Sequence, residues 1–198
     1  MKKLLLTGFE PFGGESINPS WETVSRAAAE GFEVRKVCLP VTFDGAAQRI
    51  YEEIRSFDPD ALVMVGQAGG RKGVTVERVA INLADARIPD NAGAQPEDAP
   101  LAENGPAAYF STLPTREMVR AITEQGIPAA LSYSAGTYVC NCVLYHALHL
   151  LKTEGRKGRA AFIHVPFETA QVEKRPEMPS MPLETMVRAL EAALQVLR

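Results

Sequence analysis

Short apolar segments alternate with longer segments of helical periodicity along the whole chain. The predicted strands are Lys3–Leu6, Val34–Leu39, Ala61–Val65, Ala129–Ser132 and Ala160–Val165, with Val74–Asn82 as a further strand of less regular alternation. The predicted helices are Pro19–Gly31, Asp44–Phe57, Pro114–Gly126, Tyr138–Thr153 and Pro182–Leu197. Such alternation is typical of an α/β layer fold. Because no internal repeat or low-complexity linker interrupts it, we expect one domain over residues 1–198.

Two segments do not follow this alternation. Gly8–Ser16 and Asp85–Pro114 are rich in glycine, proline, asparagine and aspartate, which favour turns and loops. Loops of this length inside a compact domain are usually functional or disordered. Their aromatic residues favour the ordered alternative: Phe9, Phe12, Tyr109 and Phe110. We therefore expect both segments to be ordered.

Composition and charge exclude several classes of protein. The chain has 198 residues, of which 46% are hydrophobic and 23% charged, and its formal net charge is −3. It contains no long basic segment, which argues against nucleic-acid and anionic-membrane partners. The uncharged segment 125–151 holds Pro128 and Gly136, so a strand–turn–helix is predicted there and not a membrane span. The apolar run after Lys3 is too short for a secretory signal, and an odd number of cysteines suits the cytoplasm.

One predicted helix concentrates cysteine and histidine. Cys142, His146 and His149 are spaced i, i+4, i+7, so they share a face and could supply part of a zinc site. A single straight helix rarely holds a metal without a ligand from elsewhere, and no CxxC or HExxH motif is present. Cysteine is also among the residue types most often buried. Packing of this face against the sheet is therefore the favoured interpretation, and no metal is predicted.

A second hypothesis concerns Cys140, which follows the break at Gly136 and falls in the first turn of that helix. Unpaired backbone N–H groups and the positive end of the helix dipole stabilise a thiolate there. His164 ends the apolar run 160–163, at the strand end where α/β proteins place their sites. Glu77 is a carboxylate inside an apolar strand and needs a buried partner, for which His164 is better placed than Arg78. These residues form a possible thiol, imidazole and carboxylate set. From spacing alone, a merely buried cysteine and a capped strand-end histidine remain alternatives.

Six segments follow one another along the chain as long specific motifs: TGFEPFGG (7–14), GQAGGRKGVTVERVAIN (66–82), DARIPDN (85–91), GPAAYFSTLP (105–114), SAGTYVCN (134–141) and HVPF (164–167). In these segments the chain resembles the pyroglutamyl peptidase family, also called pyrrolidone-carboxylate peptidases, which are cysteine omega-peptidases. The resemblance covers almost the whole chain. It implies a single α/β domain of phosphorylase/hydrolase-like type, with helices on both faces of a mostly parallel twisted sheet. It also implies removal of N-terminal pyroglutamate from peptides, a homotetramer, and no metal or organic cofactor.

The same resemblance assigns residue roles. It implies that Cys140 is the nucleophile, His164 its base and acid partner, and Glu77 the acid that orients the imidazole. Arg87 is implied to lie near the reacting centre. The implied substrate-binding residues are Phe9 and Phe12, which would sandwich the lactam ring, Gln67, whose backbone would bind its amide and carbonyl, and Thr42, Ile88, Tyr138 and Val139. The segment Glu168–Gln171 departs from the Pro-Glu-Gln type of ending that the family leads us to expect.

A rival function uses the glycine-rich segment 66–73, whose glycines and two cations could bind a phosphate. The chain would then be a small-ligand-binding or phosphorylase-like α/β module. Neither G-x-x-x-x-G-K-[ST] nor G-x-G-x-x-G occurs in the chain, so the peptidase hypothesis is preferred.

Overall fold

The computed structural model describes all 198 residues, and β-strands and α-helices alternate along most of the chain. The strands are β1 (Lys2–Phe9), β2 (Phe32–Leu39), β3 (Ala61–Gln67), β4 (Val74–Glu77), β5 (Val79–Ile81), β6 (Ala108–Phe110), β7 (Ala129–Ser132), β8 (Arg159–Val165), β9 (Phe167–Glu168) and β10 (Ser180–Met181). The helices are α1 (Pro19–Arg26), α2 (Phe43–Phe57), α3 (Thr115–Glu124), α4 (Val139–Thr153) and α5 (Leu183–Gln195).

The central sheet has six strands in the order β2-β1-β3-β8-β4-β7. Every neighbouring pair is parallel except β4 and β8, which are antiparallel. Strands β3 and β8 pair in a register that places Gly66 beside His164. Both strands are almost entirely buried, as expected for strands with helices on both faces. The predicted mostly parallel α/β fold is confirmed.

The helices divide between the two faces of the sheet. Helices α2 and α4 pack together over one apolar cluster, which includes Tyr145 and Phe162. Helices α1, α3 and α5 cover the opposite cluster, which includes Met118 and Met186. Helix α1 begins as predicted, because the Asn18 side chain accepts a hydrogen bond from the backbone N–H of Ser20. None of the five helices combines the length and the apolar character needed to cross a membrane.

Three predicted boundaries were wrong. The strand predicted over Val74–Asn82 breaks at Arg78: β4 belongs to the central sheet, whereas β5 pairs with β6 in a separate two-stranded sheet. Strand β6 lies inside the segment predicted to be irregular, because its hydrogen-bonding partner is supplied by β5. Helix α1 stops at Arg26 and not at Gly31, since the chain leaves helical geometry at Ala27.

Candidate active site

A cavity of about 500 Å³ opens at the carboxyl ends of β1, β3 and β8. Cys140 and His164 both line it, although they are 24 positions apart in the sequence. This is the edge at which open α/β sheets bind their ligands. The cavity therefore brings together the thiol and the imidazole that were predicted separately.

Cys140 reaches the cavity from the first turn of α4, as predicted. Gly136 precedes the helix with a φ of +80°, a conformation that side chains disfavour. The sulfur lies against the backbone of β3, because a Cβ atom placed on Gly66 would be 2.8 Å from it. Gly66 is also the register partner of His164. The thiol and the imidazole are thus presented to the same level of the sheet.

His164 and Glu77 form a direct hydrogen bond. His164 Nδ1 lies 2.8 Å from Glu77 Oε1, and both side chains are almost completely buried. Because an ionised carboxylate only accepts hydrogen bonds, Nδ1 carries the proton and Nε2 is left with its lone pair. The expectation that Glu77 pairs with His164 rather than Arg78 agrees with this geometry.

Sequence reasoning missed a third member of this group, Arg71. Its Nη1 donates to Glu77 Oε1 at 2.6 Å and also to the hydroxyl of Thr75, and its Nη2 donates to the carbonyl of Ser134. Burial alone would raise the pKa of Glu77, but the His164 hydrogen bond, with a smaller contribution from Arg71, lowers it. Glu77 is therefore ionised at neutral pH. Arg71 is one of the two cations that the phosphate hypothesis required, and in the structure it is paired with Glu77 instead.

The expectation of a resting thiolate was wrong. Burial raises the pKa of Cys140 to about 12, with the negative charge of Glu77 adding to the effect. Arg71 and a backbone hydrogen bond act in the opposite direction and are outweighed. Burial also lowers the pKa of His164, although Glu77 opposes this. The resting pair is thus a neutral thiol beside a neutral imidazole.

The walls of the cavity are largely apolar and aromatic. Phe9, Phe12, Ile88, Tyr138 and Val139 all line it, and Phe12 and Tyr138 face each other with ring centroids 6.3 Å apart. Tyr138 is held in place because its hydroxyl donates to the carbonyl of Pro89 at 3.1 Å. Flat, apolar walls of this kind suit a small planar ring.

Polar groups interrupt these walls at a few points. Gln67 lines the cavity at the end of β3, and its Oε1 accepts a hydrogen bond from Gln171 Nε2 at 3.1 Å. Gln171 belongs to the segment that departs from the family pattern, where Glu168 and Gln171 cap a short 3₁₀ helix reciprocally. The segment Glu168–Gln171, although it departs from the family pattern, therefore forms an ordered wall against Gln67.

Two of the residues that the family resemblance implies for the site are placed differently from the others. Arg87 lines the mouth of the cavity and is exposed. Thr42 does not line the cavity: it precedes α2, its hydroxyl faces Gly45, and its neighbour Val41 occupies the wall.

The cysteine and histidines on the remaining face of α4 have separate partners. His146 Nδ1 lies 2.7 Å from the hydroxyl of Tyr51, and His149 Nδ1 lies 2.9 Å from that of Tyr109. The Cys142 thiol points to the carbonyl of Phe43 at 3.6 Å. No group of three or more metal-ligating side chains with suitable geometry occurs in the structure. The thiol and the imidazoles have local partners, as the packing alternative predicts, but these partners lie on α2 and β6 and not on the central sheet.

Asn141 is another residue that sequence reasoning left without a role. It is completely buried next to Cys140, accepts from the backbone N–H of Ile81, and donates to the carbonyls of Ile81 and Leu83. It therefore ties the start of α4 to β5. A buried asparagine beside a candidate nucleophile was the available signal, since buried amides require partners.

Fold and site together define an α/β protein with a thiol, an imidazole and a carboxylate gathered at the carboxyl edge of its sheet. A family model described as pyroglutamyl peptidase matches residues 2–198. The chain belongs to the pyroglutamyl peptidase family.

Individual relatives agree with this membership over nearly their full lengths. A pyrrolidone-carboxylate peptidase of Thermococcus kodakarensis is 50% identical over 196 residues, which are 98% of this chain and 95% of that protein. One from Enterococcus faecalis is also 50% identical, covering 95% of this chain and 89% of its own. The crystal structure of Bacillus amyloliquefaciens pyroglutamyl peptidase I superposes with a TM-score of 0.94 at 44% identity, covering 98% of this chain and 95% of the other.

Proposed function

We propose that this protein is a cysteine exopeptidase that removes N-terminal pyroglutamate from peptides, with Cys140, His164 and Glu77 as its catalytic residues. The observation that carries the proposal is the convergence of the Cys140 thiol and the Glu77-bound imidazole in one cavity. The family membership of the chain supports the same substrate class. The reaction requires no metal or organic cofactor.

The substrate begins with a planar lactam that carries one N–H, one C=O and no charge. Phe9, Phe12 and Tyr138 provide aromatic surfaces for its faces, and the end of β3 at Gln67 provides backbone polar groups for its edge. An ordinary N-terminal residue carries an ammonium group, which such a pocket would leave desolvated and unpaired. Selectivity then follows because these aromatic walls offer an ammonium group no counter-charge.

Attack begins with transfer of the Cys140 proton to Nε2 of His164. The sulfur bonds to the carbonyl carbon of pyroglutamate, while the backbone N–H groups at the start of α4 stabilise the developing oxyanion, with Arg87 at the cavity mouth. The C–N bond then breaks, and the imidazolium gives its proton to the departing amine. Water attacks the resulting thioester and its proton passes to Nε2. The C–S bond then breaks and the imidazolium returns this proton to the sulfur, so that the products are pyroglutamate and the free thiol.

Hydrolysis of a chromogenic pyroglutamyl amide tests this proposal. Cys140→Ser should lower kcat by about 10³-fold or more, because a hydroxyl is a far weaker nucleophile beside an unaltered imidazole. Cys38→Ser is the matched control, since Cys38 is exposed on β2 and away from the cavity, and it should keep wild-type activity. Wild-type turnover in Cys140→Ser would refute the assignment.

A second substrate separates ring recognition from general amide hydrolysis. A prolyl amide has a ring of the same size, but it carries a charged amine and lacks the ring carbonyl. We expect the wild-type enzyme to prefer the pyroglutamyl amide by at least about 10³-fold in kcat/KM, because two polar contacts are lost and a charge is buried unpaired. Comparable rates on both amides would contradict the ring pocket.

The proposal also includes a homotetramer located in the cytoplasm. The three free cysteines are compatible with a reducing compartment, and the tetramer rests on resemblance to the family. Light scattering coupled to size exclusion should give about four times the mass of one chain. A monomeric mass at micromolar concentration would contradict it.

A further inference from the structure

Arg71 is a charged side chain that lines the cavity and has no role in the proposed reaction. It lies in the loop between β3 and β4, and its side chain is 29% exposed while that of its partner Glu77 is completely buried. Its guanidinium reaches three acceptors, on Thr75, Glu77 and Ser134. A long, rotamer-rich side chain that is fixed at three points costs conformational entropy, which its hydrogen bonds must offset.

The antiparallel pairing of β4 with β8 explains how Arg71 and the His164 imidazole come to share Glu77 as an acceptor. Thr75 is the register partner of His164, and Glu77 is that of Phe162. Side chains two positions apart share a face of a strand, so Thr75, Glu77 and His164 point to the same side. Arg71 spans Thr75 and Glu77 on that side. The hydrogen bond from Arg71 Nη1 and the hydrogen bond from His164 Nδ1 both end on the same atom, Glu77 Oε1, while Glu77 Oε2 accepts no hydrogen bond.

We propose that Arg71 is a positioning residue, which fixes Glu77 Oε1 as the acceptor for His164 Nδ1. The inference rests on the proposed function and adds a fourth residue to its catalytic group. Without Arg71 the carboxylate could rotate about its last torsion and present either oxygen, and the imidazole would follow. With Arg71 bound, one oxygen faces the ring, and Nε2 points consistently to the cavity.

The positive charge of Arg71 acts on the imidazole as well. Charged and titratable groups face the region of His164 from several elements: Arg71, Glu77, Asp85, Arg87, Tyr138 and Cys140. Burial is the main cause of the lowered pKa of His164, and the guanidinium lowers it further while Glu77 raises it. Arg71 thus adds to burial in favouring the neutral imidazole, the form that can accept the thiol proton.

The test compares Arg71→Met and Arg71→Lys with wild type in the hydrolysis of a pyroglutamyl amide across pH. Arg71→Met should lower kcat by about ten- to a hundredfold through misorientation, while KM changes less than about threefold. The acid limb of its kcat/KM profile should move to higher pH, because His164 binds a proton more readily without the neighbouring cation. Arg71→Lys restores the charge but not the three-point geometry, so its acid limb should stay near the wild-type position while kcat remains low.

A merely structural role would leave the acid limb unmoved, and that result would overturn the inference, as would wild-type kcat in Arg71→Met. Arg120→Met is the control, because Arg120 is an exposed arginine paired with Glu124 on α3; an equal loss there would also overturn it. If Arg71→Met does not fold, Arg71→Lys with wild-type kcat is the refuting result.

An inactive wild-type enzyme would refute the proposed function but not the placement of Arg71. Titration of the three histidine resonances by NMR tests that placement without substrate. The His164 pKa should rise in Arg71→Met, and an unchanged value would refute the inference.

Discussion

The Cys140 sulfur packs against the backbone at Gly66. Gly66→Ala should therefore lower activity while the protein still folds. A Cβ atom at this position would lie 2.8 Å from Cys140 Sγ and 2.7 Å from the ring atom Cζ of Phe162. Such atoms are normally in contact at about 3.5–4.0 Å. The methyl group therefore fits only if the sulfur, the ring or the strand moves.

The size of that movement sets the expected effect. Restoring ordinary contact requires a displacement of about 0.7–1.3 Å, which is shared between the thiol and Phe162. A misplacement of about 1 Å at a reacting group can cost about 10²-fold in rate, equivalent to about 2.7 kcal/mol in the activation barrier. Overpacking a filled core also costs about 1–3 kcal/mol of stability. Gly66→Ala should therefore lower kcat by about 10²-fold and Tm by about 2–12 °C.

Gly158→Ala is the matched control for this experiment. Gly158 precedes β8, and a Cβ atom there would lie 2.5 Å from the carbonyl oxygen of Pro59 and 3.1 Å from Leu151 Cδ2, away from the cavity. It should lower Tm as Gly66→Ala does while kcat stays within about twofold of wild type.

Calorimetry gives Tm, and initial rates on a pyroglutamyl amide give kcat for both variants. A folded Gly66→Ala variant with wild-type kcat would refute the placement of the sulfur against β3. An equal loss of kcat in Gly158→Ala would show that general destabilisation, not displacement of the thiol, lowers activity.

Two further predictions concern stability. Burial, with His149 adding to it, lowers the pKa of His146 to about 4 from its usual 6.5, so between these pH values only the unfolded chain binds the proton, and the free energy of unfolding falls as pH falls. In His146→Phe this decline, measured by urea unfolding between about pH 7 and 4, should be smaller by on the order of 2 kcal/mol, and an unchanged decline would contradict the buried neutral imidazole. Asn141→Ala should lower stability by about 3 kcal/mol because it strands the backbone groups of Ile81 and Leu83, and calorimetry should show Tm lower by about 6–12 °C; a loss below 1 kcal/mol would argue against the bridge.

The parts of the fold that periodicity predicted are those determined by local burial. Strand β3 reads as one continuous apolar run because helices cover both of its faces. Helix α1 could be placed at its start because Asn18 and Pro19 are local signals. The break at Arg78 was not predictable in this way, since it depends on hydrogen bonds to Ser132 and Ser111, which are distant in the sequence.

The same distinction holds for the candidate site. Cys140 and His164 could be proposed because each lies at the end of an element, where side chains reach the edge of a sheet. The role of Arg71 could not be proposed, because its sharing of Glu77 with His164 depends on β4 running antiparallel to β8 in an otherwise parallel sheet. Thr42 illustrates the opposite error: it was implied for the pocket by resemblance, but its neighbour Val41 lines the wall.

The protonated state of Cys140 follows from the same property that would make the pocket selective. A pocket that rejects a charged N-terminus must be poorly solvated, and poor solvation also disfavours a thiolate. Burial accordingly raises the pKa of Cys140 to about 12 in the free protein. A neutral lactam can enter without altering that balance, so the thiolate need form only as the sulfur attacks, when its proton passes to His164. In the proposed reaction Glu77 then orients the imidazole, while Arg71 adds to the burial that keeps it unprotonated until that moment.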